Sequence, residues 1–299
     1  MKKITFLTSV LALAACGGGS GGVAPTLETT IPVAELENAT FESGTEMRFN
    51  IEGDHIASID FLNEDGTDTI YMKPNSNEID KLYFGENDIT VTPTEGYVET
   101  FGKHVGLQYS DFGHLYAKYD FVPTGGTETT TETINDYFIG GLNSKYLEAP
   151  EASKTFTGTA VATVNSDKTI TNDGKIEFVN NFKTITTNDA SLEVNLEDHE
   201  YVLNMDFSKS DTPWYTVSIT DDGQMTVTDE TNGKLNIEKD FQIAAGDTQT
   251  VISEVDAAFF GQNGIASEAV AQFHNTQYIN GEGEDNQIYI HGAFGGIAK

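Results

Sequence analysis

Residues 191 to 208 read Ser191-Leu-Glu-Val-Asn-Leu-Glu-Asp-His-Glu-Tyr-Val-Leu-Asn-Met-Asp-Phe-Ser208. Leu192, Val194 and Leu196 alternate with Glu193, Asn195 and Glu197, and Tyr201, Leu203, Met205 and Phe207 alternate with Val202, Asn204, Asp206 and Ser208. A period of two puts every second side chain on one face of an extended strand, so both runs predict half-buried β-strands. The same alternation continues outward on both sides. Upstream, Phe156, Gly158, Ala160, Ala162 and Val164 are separated mainly by threonine, and Ile176 and Phe178 follow. Downstream come Tyr215, Val217 and Ile219, then Leu235 and Ile237. Turn signals lie between the runs at Asn172-Asp173-Gly174, Asp221-Asp222-Gly223, Asn232-Gly233 and Gly281-Glu282-Gly283. About eight strands over 154–296, with no helical period among them, predict an antiparallel barrel that removes its own edges. The face opposite the apolar one carries Thr, Glu, Asn and Asp, which favours a water-facing barrel over a membrane-spanning one.

Residues 31–122 hold shorter apolar runs at Ile56 to Leu62, Thr69 to Met72, Leu82 to Phe84, Ile89 to Val91 and Val105 to Tyr109. They predict a smaller β-rich handle domain. Residues 123–136 are dominated by Thr, Gly and Glu, which bury little apolar area, and are expected to form a linker before a barrel domain at 137–299. The fold class is therefore all-β, a handle followed by an eight-stranded antiparallel barrel.

Composition narrows function. The 299 residues carry 47 acidic and 16 basic side chains, a formal net charge of −31. Such a surface repels phosphate backbones and excludes a nucleic-acid-binding role. At the amino terminus, Lys2 and Lys3 precede an apolar stretch from Ile4 to Ala12, and Leu13-Ala14-Ala15-Cys16 follows. This pattern reads as a lipoprotein signal over 1–16, with lipid carried on Cys16, the only cysteine in the chain. The glycine-rich 17–30 then serves as a flexible tether. Gly17, where aspartate would direct retention at an inner membrane, points to the outer membrane and to its exterior face.

The carboxy-terminal half carries Ala257-Ala258-Phe259-Phe260-Gly261-Gln262-Asn263, Glu268-Ala269-Val270-Ala271-Gln272-Phe273 and Gly292-Ala293-Phe294-Gly295-Gly296 with Lys299. These segments resemble those of the barrel domain of the transferrin-binding protein B family, surface lipoproteins that include factor H-binding and haem-scavenging members. Gln262 stands where that family has proline, and Val270-Ala271 where it has paired glycines. Phe138-Ile139-Gly140-Gly141, Phe156 to Ala160 and Tyr109-Ser110-Asp111-Phe112-Gly113 are similar to upstream family segments. The resemblance implies a barrel preceded by a handle, and binding of an iron source, haem, an iron- or haem-carrier protein or another protein. It places the binding surface on the amino-terminal part and the barrel rim. The aromatic residues near that motif, Tyr109, Tyr116 and Tyr119, with Trp214 at a barrel turn, are therefore candidates as ligand-binding residues alongside His114. A physical reading of the same motifs expects Phe259, Phe260, Phe273 and Phe294 to fill the core beside glycines that let backbones approach.

Six histidines are present, and none has the i, i+2 or i, i+4 spacing of a local metal site. His114 combines an imidazole with nearby tyrosines and is the candidate haem axial ligand; His104, ten residues earlier, is the alternative. The acidic loops at 63–68 and 165–174 lack the twelfth-position ligand of a calcium hand and read as turns. No nucleophile elbow, zinc-protease helix or phosphate-binding loop is present, so no enzyme is expected. The expected protein is a monomer on a lipid anchor that binds without catalysis. The alternative is an acidic structural or adhesive surface lipoprotein with no small ligand.

Overall fold

Strand follows strand along the described chain, as threonine, valine, isoleucine and aromatic residues favour pleated, half-buried surfaces. A computed structural model describes residues 39–40, 46–52, 55–63, 66–122, 127–170, 176–198, 200–208, 216–220, 225–229, 233–235, 251–278 and 287–299. The expected signal over 1–16 with Cys16, the tether over 17–30, and Trp214 lie outside the described residues. The chain divides into two units, Met1–Tyr146 and Leu147–Lys299.

In the first unit, β1 (Ala39–Thr40), β2 (Glu46–Glu52), β3 (His55–Asn63), β4 (Gly66–Met72), β5 (Ile79–Phe84) and β6 (Ile89–Val91) form a six-stranded meander in chain order. Next come β7 (Glu95–Thr100), the short α1 (Gly102–Val105), β8 (Ser110–Phe121) and β9 (Thr130–Gly141), whose strands make a three-stranded antiparallel sheet. Alternation on both sheets directs one face into a shared core. Ile59, Phe61, Ile70 and Leu82 of the meander meet Val98, Leu115, Ala117 and Phe138 of the smaller sheet.

Two expectations need correction here. Val105 to Tyr109 is not a strand: α1 ends at Val105, and Gly106 adopts the left-handed conformation (φ 86°) that closes it. Residues 130–136 are not part of a linker either. Thr130 to Gly141 pairs with Phe121 to Ser110 without a register break, so residues 130–136 belong to β9, while 123–126 of the expected linker lie outside the described residues. Threonine explains the misreading, because a polar composition and a high strand propensity coexist in that residue. The boundary between units falls after Tyr146 rather than within 123–136.

The second unit is an antiparallel sheet that curls around its own core. After the two-residue β10 (Tyr146–Leu147) come β11 (Lys154–Ile170), β12 (Ile176–Asn195), β13 (Glu200–Asp206), β14 (Thr216–Thr220), β15 (Met225–Asp229) and the three-residue β16 (Gly233–Leu235). The set is completed by β17 (Val251–Gln262), β18 (Ile265–Tyr278) and β19 (Gln287–Ala298). The order across the sheet is β10-β17-β18-β19-β11-β12-β13-β14-β15-β16, which gives eight strands of five residues or more and two short ones at the ends. The barrel-like all-β architecture read from the sequence is what the chain forms.

Its core contains the residues the alternation selected. Phe156, Ala160, Ala162 and Val164 of β11, Leu192 and Val194 of β12, and Leu203 and Met205 of β13 are buried together with Phe259, Phe273 and Phe294. Each such aromatic removed from water contributes about 1.5–3 kcal/mol. Phe260 is buried too, but it neighbours Phe259 on the strand and so takes the opposite face. At Gly292 a Cβ would run into the Val161 carbonyl and the Phe273 ring, so only glycine lets β19 lie this close to β11. The β17–β18 hairpin turns through Asn263 (φ 55°) and Gly264 (φ 75°), the left-handed pair a tight hairpin prefers.

Candidate functional site

The three-stranded sheet sets the surroundings of His114. In register, His114 lies between Glu99 of β7 and Tyr137 of β9. Two features hold β8 in that place. Asp111 Oδ1 accepts the backbone N–H groups of Gly102 at 2.7 Å and Phe112 at 2.8 Å, tying α1 to the start of the strand. At Gly113 a Cβ would collide with the Glu99 carbonyl and the Phe138 ring, so the missing side chain lets neighbouring groups close in beside His114.

His114 is 1% exposed. Its ring stacks on Tyr137 at 4.7 Å between centroids and meets Tyr97 edge-on at 5.7 Å. Tyr97 in turn stacks on Tyr116 at 5.4 Å. Nε2 lies 2.6 Å from Asn135 Oδ1; because that oxygen only accepts, the proton is assigned to Nε2. Nδ1 is then an acceptor, buried and without a hydrogen-bond partner. Burial depresses the imidazole pKa, against the opposing pull of the Asn135 hydrogen bond and the Asp136 charge. The ring is therefore neutral at pH 7, with a lone pair on Nδ1. Burial, reinforced by Glu99, pushes the Tyr97 phenol up to about 12, and burial together with Glu95 raises Tyr116. Both phenols stay protonated, so they serve as aromatic walls and hydrogen-bonding groups. Burial also raises the Glu99 carboxyl, partly offset by the His104 charge.

The sequence candidates separate on this frame. His114 and Tyr116 share one face of β8 and are joined through Tyr97. Tyr119 takes the opposite face, is 8% exposed, and packs in the core between the sheets against Phe84 at 5.6 Å. Tyr109 precedes β8, with Lys145 Nζ 5.6 Å above its ring. His104 is exposed on α1. The partners that sequence reasoning missed are Tyr97, Asn135 and Tyr137. Asn135 fell inside the supposed linker, and the signal that finds it is the unbroken pairing of 110–121 with 130–141.

A second imidazole cluster lies in the curled sheet, where His274 of β18 pairs directly with His291 of β19. The rings stack at 5.1 Å, and the Tyr289 hydroxyl is 3.3 Å from His291 Nδ1. Local spacing cannot show this pair, because its members lie seventeen positions apart along the chain. Among the described residues, no group of three or more His, Cys, Asp or Glu side chains converges as a metal site. A scan against protein-family models finds no match to the chain, and a search of curated proteins finds none either.

Proposed function

We propose that this protein is a lipid-anchored outer-membrane surface protein that binds an iron source, as haem or on a protein that carries iron or haem, without catalysis. The observation that carries the reading is the His114 cluster: a neutral imidazole with an unpaired nitrogen, enclosed by Tyr97 and Tyr137, is the donor and wall chemistry that haem iron accepts. The lipobox ending at Cys16 supplies the anchor, and the resemblance of the 257–299 segments to the transferrin-binding protein B family supplies the class of ligand. The net charge of −31 favours partners with a cationic face, with association slowing as salt is added.

The test is an absorbance titration of residues 17–299 with hemin. The reading expects a Soret shift that saturates at one hemin per chain, is lost in His114→Ala and His114→Asn, and is retained in Tyr119→Phe. No shift at micromolar hemin removes haem as the ligand and leaves carrier proteins to be tested by surface binding. The competing reading, an acidic structural or adhesive lipoprotein, is favoured by the 1% exposure of His114 and its bond to Asn135, which also suit a purely structural histidine. That reading expects no hemin response and an His114→Asn variant that changes stability alone.

A further inference from the structure

The two edges of the three-stranded sheet differ. Along β7, the Val98 N–H donates to the Asn77 carbonyl at 2.8 Å, and Tyr97 forms an antiparallel bridge with Glu78. In the sheet order β9 has one neighbour, β8. Which of its backbone groups face outward follows from the register. The Phe112 carbonyl accepts the Phe101 N–H at 2.9 Å on the β7 side, and the Tyr109 carbonyl accepts the Leu142 N–H at 2.8 Å on the β9 side. Successive residues of a strand send their backbone groups to alternate sides, so the even-numbered residues of β8 bond toward β7 and the odd-numbered ones toward β9. Thr131 and Thr133 stand opposite Asp120 and Lys118, with no register break between. Their N–H and C=O groups therefore point away from the sheet, and among the described residues none bonds to them. Tyr137, on the same outward side, has its N–H accepted by Asp136 Oδ1 at 2.7 Å, so the open stretch is 131–133.

Proteins blunt such an edge with proline, lysine or a bulge. Thr130–Gly141 contains no proline, no lysine and no register break. Its charge is acidic instead. Glu132 lies between the two threonines, and Thr131 Oγ1 donates at 2.6 Å to the carboxylate of the exposed Asp120. Alternation puts Glu132 on the face of Ile134, which packs against the core, while Thr131 and Thr133 take the other face beside Lys118. A strand added outside β9 would thus set one residue against the half-buried Glu132 and the next on that face against Ile134. Opposite charges in such a cross-strand pair are favourable and like charges unfavourable. A second copy of this chain would bring carboxylates of its own to the edge, on a net charge of −31, so self-pairing is opposed.

We infer that the outer edge of β9 at 131–133 receives an extended, basic polypeptide segment as an added antiparallel strand. The segment carries a lysine or arginine opposite Glu132 and an apolar residue two positions earlier, opposite Ile134. Main-chain hydrogen bonds to the N–H and C=O groups of Thr131 and Thr133 supply the affinity, and the side chains set against Glu132 and Ile134 supply the selectivity. The inference rests on the protein-carrier arm of the proposed function, for which it names the form of the docking segment; it makes no use of haem or of His114.

The experiment is amide hydrogen exchange, read by NMR, on residues 17–299 with the probe peptide acetyl-Thr-Val-Thr-Lys-Thr-amide, whose lysine falls opposite Glu132 and whose valine falls opposite Ile134. In the free protein the Thr131 and Thr133 amides are expected to exchange faster than those of Glu132 and Ile134, and to slow saturably as the probe reaches millimolar concentration. Glutamate in place of the probe's lysine weakens the effect about threefold or more. Thr133→Pro removes an outward donor while sparing the β8–β9 ladder, and is expected to lose the probe with the Glu132 and Ile134 amides still protected. Should that variant fail to fold, N-methylation of the probe's middle threonine removes a donor without touching the protein, and is expected to abolish binding. Absence of probe-dependent slowing at Thr131 and Thr133 overturns the inference, as does undiminished binding of the N-methylated probe. Slow exchange of these two amides in the free protein also overturns it, either at every protein concentration, where the chain covers its own edge, or increasingly with concentration, where a second copy takes it. The hemin titration is read apart: a hemin response without strand addition ends this inference alone, and strand addition without a hemin response ends the haem reading alone.

Discussion

His114 and the His274–His291 pair put the same chemistry into two kinds of sheet. In the three-stranded sheet, one imidazole is 1% exposed, stacked on Tyr137 and bonded to Asn135. In the curled sheet, two imidazoles face each other across adjacent strands and remain half-buried. The first arrangement makes histidine part of a packed interior and depresses its pKa; the second leaves it on the face opposite the core. The contrast teaches that a histidine's availability is decided by the strand face and neighbours it is given. Proximity to tyrosines in the sequence, which singled out His114, says nothing of that.

The largest effect that tests this contrast is truncation of the wall on His114. Tyr137→Ala empties a fully buried aromatic position and is expected to destabilise the first unit by about 3–5 kcal/mol, read from urea unfolding. His291→Ala, by comparison, is expected to cost about 1 kcal/mol or less, since it removes a half-buried group outside the core. Equal losses from the two substitutions would break the comparison.

Acid provides the next test. Because the folded state holds His114 below its ordinary pKa, the unfolded chain binds the proton first as pH falls below about 6.5. Stability attributable to His114 is therefore full above that pH and declines as the pH drops toward the depressed folded value. Glu99 acts in the opposite sense at lower pH. Its raised folded pKa means that the folded state binds a proton first, so its contribution is lost as pH rises through that region. Thermal unfolding between pH 7.5 and 5.5 is expected to show a falling midpoint in the wild type and a flatter profile in His114→Asn. A profile unchanged by the substitution would mean that His114 is not the group that titrates.

The smallest effect sharpens the account of the curled sheet. Lys154 Nζ bonds to Glu151 and, at 2.9 Å, to the Ala266 carbonyl, while Glu151 Oε2 accepts the Ala266 N–H at 3.0 Å. The Lys154 hydrogen bond, with that from Ala266, holds the Glu151 carboxyl down to about 2. Being near the surface, this clamp between the starts of β11 and β18 is expected to contribute under about 1 kcal/mol. Lys154→Met should lower the unfolding midpoint slightly at low salt and less at high salt; a loss of several kcal/mol would show that the clamp closes the sheet.

Much of the fold was legible because alternation and burial share a cause. Leu192, Val194, Leu203 and Met205 sit in the core where the period of two put them. The two register shifts between β11 and β12, opposite Gly158/Ala160 and Asn165/Asp167 and each with its extra residue in β12, were not legible, since an extra residue in one strand leaves no mark in composition. β9 was hidden by its threonines, and with it Asn135 and the true length of the sheet around His114. The His274–His291 pair was hidden for a different reason. Its distance along the chain is long, and its distance in space follows from hydrogen-bond register, which no single segment encodes.

The Asn263-Gly264 turn gives that register a further meaning. Together with the one-residue register shift at Phe260/Gly261, it sets the phase between β17 and β18, and so decides which residues of β18 become lining and which become coat. A one-residue insertion in β18 ahead of Ala269 would exchange the two sets, turning His274 inward and Phe273 outward, whereas a two-residue insertion would restore them. The hairpin thus counts in binary, tolerating length changes by parity rather than by size.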